Sequence, residues 1–194
     1  MPDTARRYDC VMAFRIERTS LAPVAVLTGQ VFTDDRGSFR ELGKQSEFEA
    51  LGLPVFVQSN ESRSRLGVLR GLHYQLDPHA QGKLVRVVSG SVWDVAVDIR
   101  ASSATFLSWF GIELNGETPT MLWVPPGFAH GFLALTDDTI VQYNTTAEYH
   151  AESERIIRWN DPAIGIEWPA TGLDVLLSQK DSEAPIASDT DVFL

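Results

Sequence analysis

Short apolar runs broken by turn-forming residues dominate this sequence of 194 residues. The clearest is Leu84-Val85-Arg86-Val87-Val88, followed by Ser89-Gly90-Ser91 and then by Val92-Trp93-Asp94-Val95-Ala96-Val97-Asp98-Ile99-Arg100. In the second run Val92, Val95, Val97 and Ile99 are apolar, while Asp94, Asp98 and Arg100 interrupt with period two. That pattern predicts a strand pair around a glycine-containing turn, with one face apolar and the other carrying charge. Further runs at 107–114, 120–124, 131–135 and 139–143 are separated by Gly, Pro, Asn or Asp. Strands this short and this closely spaced predict a mostly β chain, a sandwich or barrel with a jelly-roll double sheet as the leading candidate. Helix signals are sparse: residues 46–51 before Gly52 predict one short helix with a glycine stop. From Pro162 onward the chain is richer in Pro, Asp and Ser and is expected to wrap the body or hang from it. There is no internal repeat and no low-complexity linker, so 1–194 reads as a single domain.

Composition narrows the function classes. Hydrophobic residues make up 44% and charged residues 22%, the balance of a globular protein rather than a disordered one. Acidic residues outnumber basic ones 26 to 16, for a net charge of −10, which argues against a general nucleic-acid binder. Cys10 is the only cysteine, which excludes an intramolecular disulfide and a cysteine-based zinc site. Residues 1–11 lack the apolar run of a signal peptide and nothing is long and apolar enough for a membrane span, so a cytoplasmic protein is expected. A second methionine at Met12 makes 1–11 read as a frayed extension or a misassigned start.

Four histidines are candidates for chemistry: His73, His79, His130 and His150. His150 lies among Glu148, Tyr149 and Glu152 and reads as a surface residue, and His79 after Asp77-Pro78 reads as a loop residue. His73 sits in Gly67-Val68-Leu69-Arg70-Gly71-Leu72-His73-Tyr74-Gln75, on an alternating run that points it to one face with Gly71 and Gln75. Nearby fixed cations favour the neutral imidazole, the form that acts as a base. Local context leaves two readings open for it, a general base or a buried structural histidine. His130 falls in Pro125-Pro126-Gly127-Phe128-Ala129-His130-Gly131, which resembles the second cupin motif. In metal-binding cupins that histidine joins an H-x-H pair, but the earlier run here has only His73, so no metal is expected. A turn residue shaping the barrel mouth is the other reading of His130. Arg63, Arg65, Arg70, Lys83 and Arg86 lie within 24 positions of one another in an acidic chain, a cluster suited to phosphate or pyrophosphate.

A family resemblance joins these pieces. Its motifs are Asp35-Arg36-Gly37-Ser38-Phe39-Arg40-Glu41, Gln58-Ser59-Asn60-Glu61-Ser62-Arg63, residues 67–75, Lys83-Leu84-Val85-Arg86, residues 92–100 and 125–132, Trp159 to Pro169, and Leu177-Ser178-Gln179-Lys180-Asp181. In this order they resemble the dTDP-4-dehydrorhamnose 3,5-epimerases, from about residue 25 to 186. The resemblance implies a cupin-type jelly roll, a homodimer, and catalysis without metal or organic cofactor. The implied substrate is dTDP-4-dehydro-6-deoxy-D-glucose, inverted at C3 and C5 toward L-rhamnose. By the same resemblance His73 is the base paired with Asp181, Tyr143 is the acid on the opposite face, and Lys83 lies by the C4 oxygen. Arg36, Glu41, Gln58, Asn60, Arg70, His130, Glu154 and Lys180 match positions that line the substrate site. The segment carrying Arg36 and Glu41 is expected to reach across the dimer interface.

The implied chemistry explains these residue types. C3 and C5 both flank the C4 ketone, so one base can serve either carbon. Removing a proton leaves an enolate whose charge needs a fixed cation or donor, and inversion needs a second group on the other face. Two departures from the family pattern, Asn144 for a common lysine and Ser38 for a frequent aromatic, are expected to bear on the sugar pocket. Relatives that epimerise only C3 or only C5 form the alternative activity. A metal-dependent cupin and a non-catalytic sugar-nucleotide binder are the rivals from other classes.

Overall fold

The structure is a computed structural model in which residues 13–194 are described. The expectation for residues 1–11, like Cys10, lies outside the described residues. In chain order the elements are β1 (Phe14–Arg18), β2 (Ala25–Gly29), β3 (Phe32–Asp34), β4 (Gly37–Phe39), α1 (Gln45–Ala50), β5 (Gln58–Ser64) and β6 (Leu69–Gln75). They continue with β7 (Lys83–Ser89), β8 (Ser91–Asp98), β9 (Trp109–Asn115), β10 (Thr120–Val124), β11 (Phe128–Ala134), β12 (Thr139–Thr145), β13 (Glu154–Ile156) and α2 (Gln179–Ser182). One sheet has the order β1-β2-β10-β7-β12-β5, a second β13-β6-β11-β8-β9, and β3-β4 form a separate hairpin. This is the expected jelly-roll double sheet.

The runs predicted at 84–88 and 92–100 are both strands, but they are not partners. β7 pairs with β10 and β12 in the six-stranded sheet, and β8 pairs with β11 and β9 in the five-stranded one. The chain crosses between the sheets at Gly90, whose φ is +77°. A Cβ there would stand 2.5 Å from Thr136 Oγ1 and 2.6 Å from Thr139 Oγ1, so the crossing is both left-handed and too crowded for a side chain. The helix predicted at 46–51 is α1, and Gly52 ends it with φ +79°.

Period two decides which residues face the barrel interior. Along β8, Val92 and Ala96 join a core shared with Val85, Val87 and Val141 of the other sheet. The alternate residues Val95, Val97 and Ile99 pack outward against Ile157, Ile164 and Ala187 of the C-terminal part, which wraps the body. Both faces of β8 are therefore covered, and Asp94 and Asp98, predicted on a charged face, are fully buried. On the outside of the six-stranded sheet, Leu27, Leu84 and Trp123 are covered by Phe14, Phe48 and Leu53. No helix among the described residues is long and apolar enough to cross a membrane.

Candidate active site

The interior rows run out of apolar residues at one end of the barrel. β7 contributes Val85 and Val87 to the core, and the next residue in that row is Lys83. β12 contributes Val141 and then Tyr143, whose cross-strand partner on β5 is Asn60. β6 sends Leu72 and Tyr74 outward, which turns His73 and Gln75 inward. The resulting cavity, about 150 Å³, is lined by Gln58, Asn60, His73, Gln75, Lys83, Tyr143, Tyr149 and Glu154 among others.

His73 Nε2 lies 2.8 Å from Asp181 Oδ1, a contact that spans 108 positions of sequence. Asp181 is carried by α2, where Ser178 caps the helix: its hydroxyl accepts from the Asp181 N–H and donates to Oδ2 at 2.6 Å. The Gly71 N–H also donates to Oδ1, at 3.3 Å. Burial alone would raise the Asp181 carboxyl, but the His73 and Ser178 hydrogen bonds outweigh it and hold it below the ordinary carboxylate range. An ionised Asp181 accepts the Nε2 proton, so the His73 tautomer keeps its lone pair on Nδ1. Gly71 also lets β6 lie close against β11. Its φ is +123°, and a Cβ would fall 2.5 Å from Gly131 Cα on β11.

Lys83 is 8% exposed, and its ammonium donates to the His73 carbonyl at 3.1 Å. Burial lowers its pKa to about 8 against the opposing pull of Glu154 and Asp94. Tyr143 is raised, chiefly by burial, with Arg70 acting the other way and Glu154 adding to the rise. Glu154 accepts from Lys180 at 2.5 Å and from the Tyr149 hydroxyl at 2.7 Å. Burial opposes ionisation there, but these two partners hold Glu154 below its ordinary value.

Among the candidate residues, His73, Lys83, Tyr143, Gln58, Asn60 and Glu154 meet around this cavity, with Asp181 and Lys180 directly behind His73 and Glu154. His130 is the β11 neighbour of His73 and is buried, its Nε2 2.9 Å from Asp94 Oδ1. Arg70 is exposed and donates to Ser64 Oγ and the Arg63 carbonyl. Arg36 and Glu41 are not brought to this cavity. Arg36 sits on the exposed β3–β4 hairpin paired with Asp34, and Glu41 lies in a separate pocket with Arg40, Arg86 and Thr118. The cluster of five basic residues is likewise dispersed: only Lys83 lines the cavity, and Arg86 faces the other side of its sheet with Nε on Gln142. The family departures also lie away from it. Asn144 shares a pocket with Leu84 and Arg86 on the opposite face from Tyr143, and Ser38 is on the hairpin. His79 and His150, expected in a loop and at the surface, stack ring on ring at 3.8 Å.

Sequence reasoning missed Asp94, Ser178, Gln75 and Tyr149 as parts of this site. Asp94 had a signal, an acidic residue interrupting a strand with period two; Tyr149 had none. No three His, Cys, Asp or Glu side chains among the described residues are grouped to hold a metal ion.

The family model described as dTDP-4-dehydrorhamnose 3,5-epimerase matches residues 18–189. A dTDP-4-dehydrorhamnose 3,5-epimerase of Shigella flexneri is 50% identical over 91% of this chain and 98% of its own length. That of Escherichia coli K12 is 52% identical over 84% of this chain and 89% of its own. The crystal structure of a dTDP-6-deoxy-D-glucose-3,5-epimerase from Legionella pneumophila, in complex with dTDP-4-keto-L-rhamnose, superposes with a TM-score of 0.88 at 44% identity, covering 92% of this chain and 95% of that one. The present chain belongs to the dTDP-4-dehydrorhamnose 3,5-epimerase family.

Proposed function

We propose that this single-domain enzyme epimerises dTDP-4-dehydro-6-deoxy-D-glucose at C3 and C5, giving dTDP-4-dehydro-L-rhamnose. The observation that carries the mechanism is that His73 and Tyr143 line one cavity from opposite sheets. A base on one wall and an acid on the other is what inversion of a carbon between them requires.

In this reading His73 removes the proton from a carbon beside the C4 ketone, and Asp181 stabilises the imidazolium that forms. The electron pair moves into the ketone oxygen, where Lys83 offsets the enolate charge. The half-buried, neutral Tyr143 donates its proton to the opposite face of the same carbon, and the imidazolium proton returns to the tyrosinate through solvent. Nothing is oxidised or reduced, and the reading calls on no metal or organic cofactor. Gln58, Asn60, His130, Arg70, Glu154 and Lys180 bind or position the sugar nucleotide.

The enzyme is further read as a cytoplasmic homodimer whose β3–β4 hairpin carries Arg36, with Glu41 close behind it, to the neighbouring site. Two exposed aromatics, Phe32 at 58% and Phe39 at 68%, flank Arg36 on that hairpin and support its being covered in the assembly.

Turnover of the 4-keto sugar nucleotide in D₂O tests the reaction. Deuterium at both C3 and C5 is expected. Label at one carbon only overturns the double epimerisation in favour of a single epimerase, and binding without label leaves a sugar-nucleotide-binding module.

A further inference from the structure

We propose that Gln75 is a positioning residue that holds Tyr149 against the cavity and so acts on substrate binding rather than on proton transfer. The inference rests on the epimerase reading above.

Gln75 lies two residues beyond His73 on the same inward row, and is 3% exposed. Its amide is fully used. Nε2 donates to the His79 carbonyl at 2.7 Å and to the Glu148 carbonyl at 3.2 Å, and Oε1 accepts from the His150 N–H at 2.8 Å. Two of these bonds fall on either side of Tyr149. The Tyr149 N–H itself donates to Oε1 of Gln58, another cavity residue, at 2.9 Å. Residues 148–150 follow the end of β12 and have no strand partner, so side-chain bonds take the place of a sheet ladder there. Thus held, Tyr149 lines the cavity and donates its hydroxyl to Glu154, which is the cross-strand neighbour of Gln75 on β13. The stacked rings of His79 and His150 sit on the two segments that the Gln75 amide joins.

Only an amide supplies two donors and an acceptor in this shape. Glutamate has no donor for the two carbonyls, and methionine fills the volume but makes none of the bonds. Packing alone would tolerate Gln75→Met; a clamp would not. The catalytic side chains His73, Lys83 and Tyr143 stand on strands whose ladders do not involve the Gln75 amide.

Steady-state kinetics of Gln75→Met, Tyr149→Ala and the double variant test the inference. In Gln75→Met the KM should rise about tenfold, the scale of one or two lost hydrogen bonds, with kcat within about twofold. In the Tyr149→Ala background the same change should have no further effect, because the group it positions is gone. A fall in kcat with KM unchanged, or KM effects that multiply in the double variant, would overturn the inference in favour of direct contact with the reacting sugar or of general packing. Amide hydrogen exchange over 146–150 separates this from the reaction reading. Faster exchange at His150 in Gln75→Met is expected, and unchanged exchange in a protein that turns over sinks the clamp alone. A wild-type protein that does not turn over, with faster exchange in the variant, sinks the epimerase reading while the clamp on Tyr149 stands.

Discussion

At the scale of single residues, the site rests on the hydrogen bond between His73 Nε2 and Asp181 Oδ1. Nε2 is committed to Asp181; under the proposed mechanism His73→Ala removes the base, while Asp181→Asn keeps the volume but no longer favours the Nε2–H tautomer or the imidazolium. Turnover should fall by about 10²–10⁴-fold for His73→Ala with an unchanged circular dichroism spectrum. A variant within a few-fold of wild type would remove His73 from the base role. The sequence made the face of His73 legible, because alternation along 67–75 places it with Gly71 and Gln75. It could not supply Asp181 by local pattern, since that residue arrives from 108 positions away on a capped helical turn. The family resemblance implies Asp181 as the partner of His73, whereas neither strand alternation nor the resemblance assigns Asp94 to His130.

At the scale of elements, the end of β8 shows how a buried charge fixes a turn. Asp98 is fully buried and accepts from the Arg100 backbone and guanidinium and from the Ser103 and Thr105 hydroxyls, which anchors the loop leading into β9. Burial by itself raises its pKa, but these hydrogen bonds outweigh it and lower the carboxyl from 3.8 to about 2. A folded value below the unfolded one means the stabilisation is fully present above the unfolded pKa and is lost as pH falls through the folded one. The window therefore runs from about pH 4 down to about pH 2. Asp98→Asn should lower stability by about 2 kcal/mol near neutral pH, and its denaturation midpoint should converge on that of wild type toward pH 2. A constant difference across that range would contradict the assignment. Period two correctly marked Asp94 and Asp98 as sharing a face. What it could not show is that the face is buried, because a solvated strand face and a polar barrel interior read alike in one dimension.

At the scale of the whole molecule, the assembly carries its own test. Light scattering should give about twice the 21.5 kDa chain mass. If Arg36 serves the neighbouring site, Arg36→Ala and His73→Ala chains, each inactive or weakened alone, should recover activity when mixed, toward about one intact site in four. No recovery from exchanging subunits would return Arg36 to its own chain. The sequence by itself determined what repeats locally: short strands of period two, the α1 stop at Gly52, and the absence of an H-x-H pair. Its long motifs also identified the family. Tertiary structure decided what depends on pairing at a distance. It put the runs at 84–88 and 92–100 into different sheets, dispersed five neighbouring cations so that only Lys83 lines the cavity, and brought Asp181 to His73. The physical reason is that side-chain direction is set by the strand's own alternation, whereas a strand's partners are chosen by burying both of its faces, a property of the packed molecule.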